Sequence, residues 1–309
     1  MNVFHYSMDN KRYHTLYFYN MQKFGERVYK APINAGFTCP NIDGTKGIGG
    51  CIYCDGGSGY FTDSSIMSVE EQLKHQICLI HRKHPNAKIN AYFQSYSNTY
   101  ALADYLRSKI DPVFNFNEII SVSLATRADC LKEDVLNYLK ELSEKINLTV
   151  ELGLQTANDS TAKIINRGHT FSEFQRGFDK LKSLGIRTVV HIINGLPKED
   201  EGIMLKTAEI LGKMKPDGVK IHLLHVIQGT VLEQMYVNGL YQPMDKDKYV
   251  STVVKQLELL PPETVIERLT GDGDKNKLIA PLWSKDKISV LGAIDKLQAD
   301  IDSYQGKLF

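Results

Sequence analysis

Short apolar runs alternate with amphipathic stretches through most of this 309-residue chain, and no other feature limits its fold as strongly. Runs rich in β-forming residues occur at 31–38, 88–94, 119–125, 148–155, 187–194 and 219–226, with helix candidates between them at 68–82, 99–109, 132–145, 159–184 and 199–214. Near-continuous apolar strands are typical of a parallel sheet covered by helices. The pattern predicts an α/β fold, a partial (β/α)6 TIM-like barrel, with its chemistry at the carboxyl ends of the strands.

Three regions follow from this pattern. Residues 31–230 form the predicted core barrel, residues 1–30 a polar and aromatic leader packed on it, and residues 231–309 a C-terminal extension. In the extension we expect a helix near 246–260, a short run at 265–269 and a final amphipathic helix. The extension is expected to pack on the barrel rather than to fold alone.

Composition and cysteine usage predict a cytoplasmic protein with no membrane partner. No apolar run reaches the roughly 18–20 residues of a membrane helix, and the amino-terminal residues lack the apolar centre of an export signal. Five cysteines are too few for a disulfide framework in a chain of this length, so clustered cysteines indicate metal or redox chemistry. Lys and Arg number 37 against 36 Asp and Glu, so net charge alone does not recruit nucleic acid.

Three cysteines are clustered directly after the first predicted strand. Cys39, Cys51 and Cys54 follow a C-x11-C-x2-C spacing in a glycine-rich loop that can turn tightly. Three thiolates suit a [4Fe–4S] cluster with one iron left open. A structural zinc site, which prefers four ligands, and unliganded thiols remain as alternatives on spacing alone. Cys78 and Cys130 are expected to be structural.

The segment around these cysteines, GFTCPNIDGTKGIGGCIYC (36–54), resembles the cluster loop of radical S-adenosylmethionine (SAM) enzymes. Its long first spacing is similar to the branch that contains the catalytic subunit of Elongator. Further segments resemble that branch in the same order: ATRADCL (125–131), ELGLQT (151–156), NRGHT (166–170), HIINGLPKE (191–199) and HLLHVIQGT (222–230). With residues 24–45 and 267–273 included, the chain resembles the stand-alone YhcC/YtqA-type proteins, among them the MnmL group. The resemblance implies the radical SAM fold, a [4Fe–4S] cluster on Cys39, Cys51 and Cys54, and SAM.

The resemblance also implies a set of SAM contacts, which are Tyr53, Gln94, Ser95, Gln155, Asn194 and Gly195. Tyr53 is similar to an aromatic residue that packs near the adenine, and Gln155 to a polar residue that contacts the ribose or carboxylate. Gln94 and Ser95 stand where many relatives have Gly-Gly-Glu, so this sequence departs from the pattern there.

Arg127, Glu151 and His191 are the candidate catalytic residues. Arg127 follows the third predicted strand, where its forked guanidinium can contact a substrate anion or the SAM carboxylate; the alternative is a salt bridge between strands. Glu151 shares a strand face with Gln155 and needs a cationic partner inside a barrel, for which Arg127 and Arg187 are candidates. His191 lies on the fifth strand, where a lone histidine is more often a hydrogen-bonded core residue.

The resemblance implies a substrate as well: the C5 side chain of the tRNA wobble uridine, with 5-carboxymethylaminomethyl converted to 5-aminomethyl. Cations interleaved with aromatic residues in the leader can bind RNA or can simply pack on the barrel. The turn Gly271-Asp272-Gly273 is a candidate substrate-contact loop. Expected partners are tRNA and an electron donor such as flavodoxin or ferredoxin. The alternatives are a radical SAM enzyme with a small-molecule, for example porphyrin-type, substrate and a non-catalytic iron–sulfur or zinc protein.

Overall fold

Parallel strands form the centre of the fold. The computed structural model describes residues 4, 6–7, 9–56, 62, 65–271 and 273–309. The strands are β1 (Val28–Ile33), β2 (Lys88–Phe93), β3 (Ile119–Thr126), β4 (Asn147–Gln155), β5 (Arg187–Asn194), β6 (Gly218–Leu223), β7 (Val226–Ile227), β8 (Val265–Arg268) and β9 (Leu278–Ala280). A seven-stranded sheet has the order β1-β2-β3-β4-β5-β6-β8, and β7 pairs separately with β9.

Helices connect the strands. They are α1 (Leu16–Phe24), α2 (Val69–Lys83), α3 (Ala103–Ile110), α4 (Glu133–Lys145), α5 (Asp159–Ile164), α6 (Phe171–Ser183), α7 (Glu201–Met214), α8 (Val231–Val237), α9 (Lys246–Glu258) and α10 (Lys287–Asp300). A capping box starts α2, because the Ser68 side chain accepts from the Glu71 backbone and the Glu71 side chain accepts from the Ser68 backbone. None of the helices in the described ranges is long and apolar enough to cross a membrane.

The sheet curls into a half-barrel, which confirms the predicted TIM-like architecture, but it has seven parallel strands rather than six. The added strand, β8, comes from the region after residue 230 and pairs with β6 through Gly218–Val265 and Val219–Ile266. This strand is short and half charged, so its sequence alone gave no reason to place it in the sheet.

Several predicted elements have different bounds in the structure, and the run expected at 219–226 is divided between β6 and β7. The first strand was expected at 31–38 but spans Val28–Ile33, because β2, its pairing partner, ends at Phe93 opposite Ile33. The single helix expected at 159–184 is two helices. Asn166 and Gly168 adopt left-handed φ angles of 51° and 74°, which end α5, and Thr170 caps the new start of α6.

The two sides of the sheet differ in chemistry. The outer side packs against the helices in a continuous apolar core that includes Leu139, Val150 and Phe174. The barrel interior contains polar and charged side chains, among them Ser123 and Glu151. This interior is where the candidate site lies.

Candidate active site

A cavity of about 310 Å³ lies at the carboxyl ends of the parallel strands. Its walls come from β2 to β6, from β8 and from the cysteine loop. The volume is at the lower end of the range for small-molecule sites, and the location is the one that parallel α/β folds use for ligands.

The three clustered cysteines share one side of this cavity. Cys39, Cys51 and Cys54 are half-buried and all line it. Cys130 is buried apart from the cavity, where burial raises the pKa of its thiol to about 12, and Cys78 is exposed on α2. The described residues contain no group of His, Cys, Asp or Glu side chains close enough to chelate a single metal ion. A cluster fits this arrangement better than zinc, because each thiolate of a [4Fe–4S] cluster binds a different iron atom.

The cysteine loop is fastened to the segment between α5 and α6. Ile52 donates to the Ile165 carbonyl at 3.1 Å, and the Asn166 side chain donates to the Gly50 carbonyl at 2.7 Å. Asn41 completes the connection by donating to the Asn166 carbonyl and lies with its amide nitrogen 3.8 Å from the Cys51 sulfur. The NRGHT segment therefore helps to hold the shape of the cysteine loop.

Arg127 does not offer its fork to a ligand, which corrects the sequence-based expectation. Its Nε and one terminal nitrogen donate to the two Asp129 oxygens at 2.9 Å, and the other donates to the Arg167 carbonyl at 2.8 Å. Lys46 of the cysteine loop reaches the same Asp129 at 2.8 Å. Arg127 lines the cavity, but this geometry makes it a positioning residue that links β3 to the cysteine loop.

Glu151 is the centre of a buried charged network on the opposite side. Its carboxylate is fully buried and accepts from Lys220, from the Tyr92 hydroxyl at 2.8 Å and from His191 Nε2 at 2.8 Å. Neither cation expected from the sequence is its partner, because Arg127 binds Asp129 and Arg187 binds Glu267 at 2.8 Å.

Burial and the neighbouring charges shift the pKa values of the network's members. Burial alone would raise the pKa of Glu151, but Lys220, Lys30 and His191 outweigh it and hold that pKa well below its usual range. Burial lowers the pKa of Lys220 to about 7 against the opposing effect of Glu151. Burial also lowers the pKa values of His191 and His222. At neutral pH the cavity thus contains a carboxylate, neutral imidazoles and a lysine that titrates near neutrality.

Three of the expected SAM contacts line the cavity: Tyr53, Gln94 and Gln155. A bulge at the end of β4 and a left-handed φ of 71° set the position of Gln155. Gly153 lies beside it, and a Cβ there would fall 2.6 Å from the Gln155 amide nitrogen. Ser95 is buried, and its side chain is absent from the cavity wall.

Asn194 and Gly195 lie at the end of β5 but are not among the residues that line the cavity, so their contact with SAM stays a prediction. The Asn194 side chain exchanges two hydrogen bonds with Gln256 of α9, at 2.8 and 2.9 Å. Gly195 accepts from the Tyr241 hydroxyl, and a Cβ at this position would lie 3.1 Å from Met244. Both residues therefore join β5 to the region after residue 230. Asp272 of the expected substrate loop lies outside the described residues, whereas Gly271 and Gly273 line the cavity.

The leader lies at the other end of the barrel. Leu16, Tyr19 and Lys23 of α1 line a small lower cavity together with the first residues of several strands. Leader cations are also engaged within the protein, since Lys11 pairs with Asp295 and Arg12 with Asp302. These contacts favour the packing alternative for the leader.

Lys220 and Arg268 also line the cavity, and sequence reasoning did not single them out. Lys220 had a usable signal, because a lysine inside an otherwise apolar strand needs a buried partner. Arg167, in the NRGHT segment, is buried and donates to the Gly153 carbonyl at the cavity wall.

Residues 45–211 match the family model for the Radical SAM superfamily, and residues 216–298 match the Radical_SAM C-terminal domain. The chain therefore belongs to the radical SAM superfamily and is an enzyme whose cofactors are a [4Fe–4S] cluster and SAM. This excludes the non-catalytic alternative. Within the superfamily the chain belongs with the YtqA-type proteins. YtqA of Bacillus subtilis (strain 168) is 44% identical, and the match covers 100% of this chain and 96% of the length of YtqA.

More distant matches connect the chain to Elongator-like proteins. A tRNA uridine(34) acetyltransferase of Methanocaldococcus jannaschii is 28% identical over 50% of this chain and 28% of its own length. The solved structure of the archaeal Methanocaldococcus infernus Elp3 with an N-terminal deletion has a TM-score of 0.66 at 18% identity. That match covers 87% of this chain and 63% of the other, and it supports a shared fold.

Proposed function

We propose that this enzyme acts on the wobble uridine of tRNA and converts its 5-carboxymethylaminomethyl side chain to 5-aminomethyl. The observation that carries the proposal is the similarity to a relative whose name places its action at tRNA uridine 34. The cavity supports it, because a nucleobase with an extended side chain can enter from the strand ends while the rest of an RNA remains outside.

Cys39, Cys51 and Cys54 are the proposed cluster ligands, which leaves one iron for SAM. Bound at these residues, the cluster and SAM would supply one-electron chemistry that removes a hydrogen atom from the methylene carbon of the carboxymethyl group. Return of one further electron from the substrate to the oxidised cofactor, with loss of a proton, would give an imine, and its hydrolysis by water would break the C–N bond, release the two-carbon unit as an oxo acid and leave the 5-aminomethyl group. A flavodoxin or ferredoxin is the proposed electron donor. Asn41, Asn166 and Lys46 keep the loop in place through the contacts described above.

The chain's own residues bind and orient the reactants. Tyr53, Gln94 and Gln155 are the proposed SAM contacts, because they lie on the cavity wall near the cysteines or at the ends of β2 and β4. Glu151 fixes His191 and Lys220 by hydrogen bonds, so these side chains present a rigid polar surface to the substrate. Arg127 acts indirectly, by holding Asp129 and the cysteine loop.

The proposed tRNA approach is from the cavity mouth. The cavity wall includes residues of the cysteine loop together with Gly271, Gly273 and Asp274. The leader, at the opposite end of the barrel, has no direct part in this approach. Exclusion of water from the bound side chain is the contribution expected of the loops around the mouth.

Nucleoside mass spectrometry tests the function directly. Undermodified tRNA carrying 5-carboxymethylaminomethyluridine is incubated anaerobically with cluster-loaded enzyme, SAM and reductant, and then digested. We expect 5-aminomethyluridine to appear in step with 5′-deoxyadenosine. Deoxyadenosine formation with an unchanged wobble nucleoside would refute the substrate and leave the small-molecule alternative.

A further inference from the structure

We propose that His191 is the general base of the reaction and that its Nδ1 atom takes the proton that the side-chain amine of the substrate loses. This inference rests on the proposed function, in which a C=N double bond forms and is then hydrolysed. It assigns a chemical step to one nitrogen of His191, beyond the rigid polar surface that the Glu151 network supplies.

Strand β5 places His191 on the wall of the cavity. Side chains alternate between the two faces of a strand, so His191 and Ile193 share one face of β5, and both line the cavity. The parallel register puts His191 beside Gly153 of β4 and Lys220 of β6. The imidazole ring is therefore part of the surface that a bound substrate meets.

The hydrogen bond to Glu151 determines which nitrogen of His191 carries the proton. Nε2 lies 2.8 Å from a carboxylate oxygen of Glu151, and an ionised carboxylate can only accept. The pKa of Glu151 is held well below its usual range by Lys220, Lys30 and His191, so this carboxylate is charged at neutral pH. Nε2 must therefore be the donor, and the neutral ring has its lone pair on Nδ1.

The Nδ1 atom of His191 is open to the cavity. Within the described ranges it makes no hydrogen bond, and it is not one of the buried polar atoms that lack a partner. The side chain is 18% exposed, and the space that it borders is the cavity. A lone pair that faces the substrate is the arrangement that a general base requires.

The neighbouring basic groups are less suited to this step. Lys220 directs its ammonium group to Glu151 and to the Tyr92 hydroxyl at 3.2 Å, and only 2% of its side chain is exposed. Nε2 of His222 is buried, and this ring lies with its centroid 5.2 Å from that of His191. Burial and the charge of Lys220 lower the pKa of His191, which keeps its ring neutral and able to accept a proton at neutral pH.

The proton transfer balances the oxidation of the substrate radical. After a hydrogen atom has left the methylene carbon, one electron passes from this carbon radical to the oxidised cofactor, and the adjacent nitrogen loses a proton to Nδ1 of His191. The C=N double bond forms in this step, and water then adds to its carbon so that the C–N bond breaks. Glu151 stabilises the imidazolium that the transfer creates, through the hydrogen bond to Nε2.

His191→Gln removes the base and keeps a donor for Glu151, because a glutamine amide nitrogen can occupy the position of Nε2. Variant and wild type, both cluster-loaded, are incubated anaerobically with SAM, reductant and tRNA deuterated at the methylene carbons of its 5-carboxymethylaminomethyl group. We expect formation of 5-aminomethyluridine to fall about 100-fold, whereas deuterated 5′-deoxyadenosine still forms. A carbon radical that is not oxidised takes up an electron from the reductant and a proton from water, and returns to the starting side chain. The ratio of deoxyadenosine to 5-aminomethyluridine should therefore rise at least about tenfold.

His75→Gln is the matched control, because it makes the same change at an exposed histidine of α2. This variant should keep the wild-type ratio of the two products. A parallel loss of both products in His191→Gln, with the ratio unchanged, would mean that His191 only positions other groups and would overturn the inference. Unchanged formation of both products would overturn it as well.

A measurement on wild type decides the question even if His191→Gln does not fold. Diethyl pyrocarbonate acylates neutral imidazole nitrogens that it can reach, and peptide mass spectrometry locates the modified histidines. In cluster-loaded enzyme with SAM, His191 should be modified, and an anticodon stem-loop containing 5-carboxymethylaminomethyluridine should protect it. His169, which is buried and has Nδ1 3.2 Å from the Thr170 carbonyl oxygen, should not react. An unreactive His191 would refute an accessible base at this position.

The outcomes separate this inference from the proposed function. If wild type forms 5-aminomethyluridine and His191→Gln keeps the wild-type product ratio, the base is refuted and the function stands. If wild type forms no 5-aminomethyluridine, the proposed function is refuted and the inference with it.

Discussion

Replacing Glu151 by glutamine tests whether the buried network is as tightly coupled as its geometry indicates. Glutamine keeps the size of the side chain and one acceptor oxygen, so Tyr92 and His191 retain a partner. Lys220, of which 2% of the side chain is exposed, loses the nearer of its two carboxylates and keeps Glu267 at 3.9 Å. The reciprocal change, Lys220→Met, leaves a fully buried Glu151 with less positive charge around it.

The expected magnitude follows from the burial of both groups. Removing one partner of a buried ion pair costs about 3–5 kcal/mol, because the remaining charge is uncompensated, whereas removing both costs little. We therefore expect each single variant to lose about 3–5 kcal/mol and the double variant to lie within about 1 kcal/mol of wild type. The ability of Lys220 to deprotonate near pH 7 places Glu151→Gln at the lower end of that range.

Differential scanning calorimetry of the anaerobic, cluster-loaded proteins measures the effect. A loss of about 3–5 kcal/mol corresponds to a Tm decrease of roughly 5–8 °C in a chain of 309 residues. Recovery of most of the Tm in the double variant is the expected signature. If the two single losses simply add, or if each stays below about 1 kcal/mol, Glu151 and Lys220 are not the coupled pair described here.

Three further expectations follow. Burial raises the pKa of Glu199 from 4.5 to about 7, so its contribution to stability is present below pH 4.5 and is lost as the pH rises through 7. In urea unfolding, the free energy of unfolding of Glu199→Gln should therefore increase by about 2–3 kcal/mol relative to that of wild type between pH 4 and pH 8. Gly153→Ala places a Cβ 2.6 Å from Gln155 and 2.9 Å from Arg167, so calorimetric SAM affinity should fall about tenfold, while Gly292→Ala, with open space around it, should bind normally. Cys39→Ala, Cys51→Ala and Cys54→Ala should each lose the bound cluster by iron analysis, and Cys78→Ala and Cys130→Ala should keep it; retention in any of the first three would remove that residue from the ligand set.

The barrel could be predicted because its strands are apolar runs that local sequence identifies. What local sequence did not identify was pairing between distant segments. β8 has only four residues and contains Glu267 and Arg268, so it was not recognised as a sheet strand until its pairing with β6 was known. The break between α5 and α6 depends on left-handed backbone conformation at Asn166 and Gly168, and the spacing of apolar residues in the sequence does not show this conformation.

The same limit applies to the candidate site: features within one segment of the sequence could be predicted, and contacts between distant strands could not. Three cysteines near one strand end were correctly expected to meet at one cavity, because their spacing is local. The partner of Glu151 was wrong, because Lys220 lies two strands away in the curled sheet and strand alternation says nothing about contacts across the interior. The hydrogen bonds between Asn194 and Gln256 of α9 could not be predicted for the same reason, because the two residues are far apart in the sequence.

Deuterium transfer is the most direct test of the central claim, that radical chemistry in this cavity acts on the wobble side chain. The substrate is tRNA whose 5-carboxymethylaminomethyl group is deuterated at its methylene carbons, incubated with cluster-loaded enzyme, SAM and reductant. Mass spectrometry of the 5′-deoxyadenosine produced should show deuterium from the side chain, in step with formation of 5-aminomethyluridine. Deoxyadenosine without deuterium, formed while the wobble nucleoside is unchanged, would contradict the account.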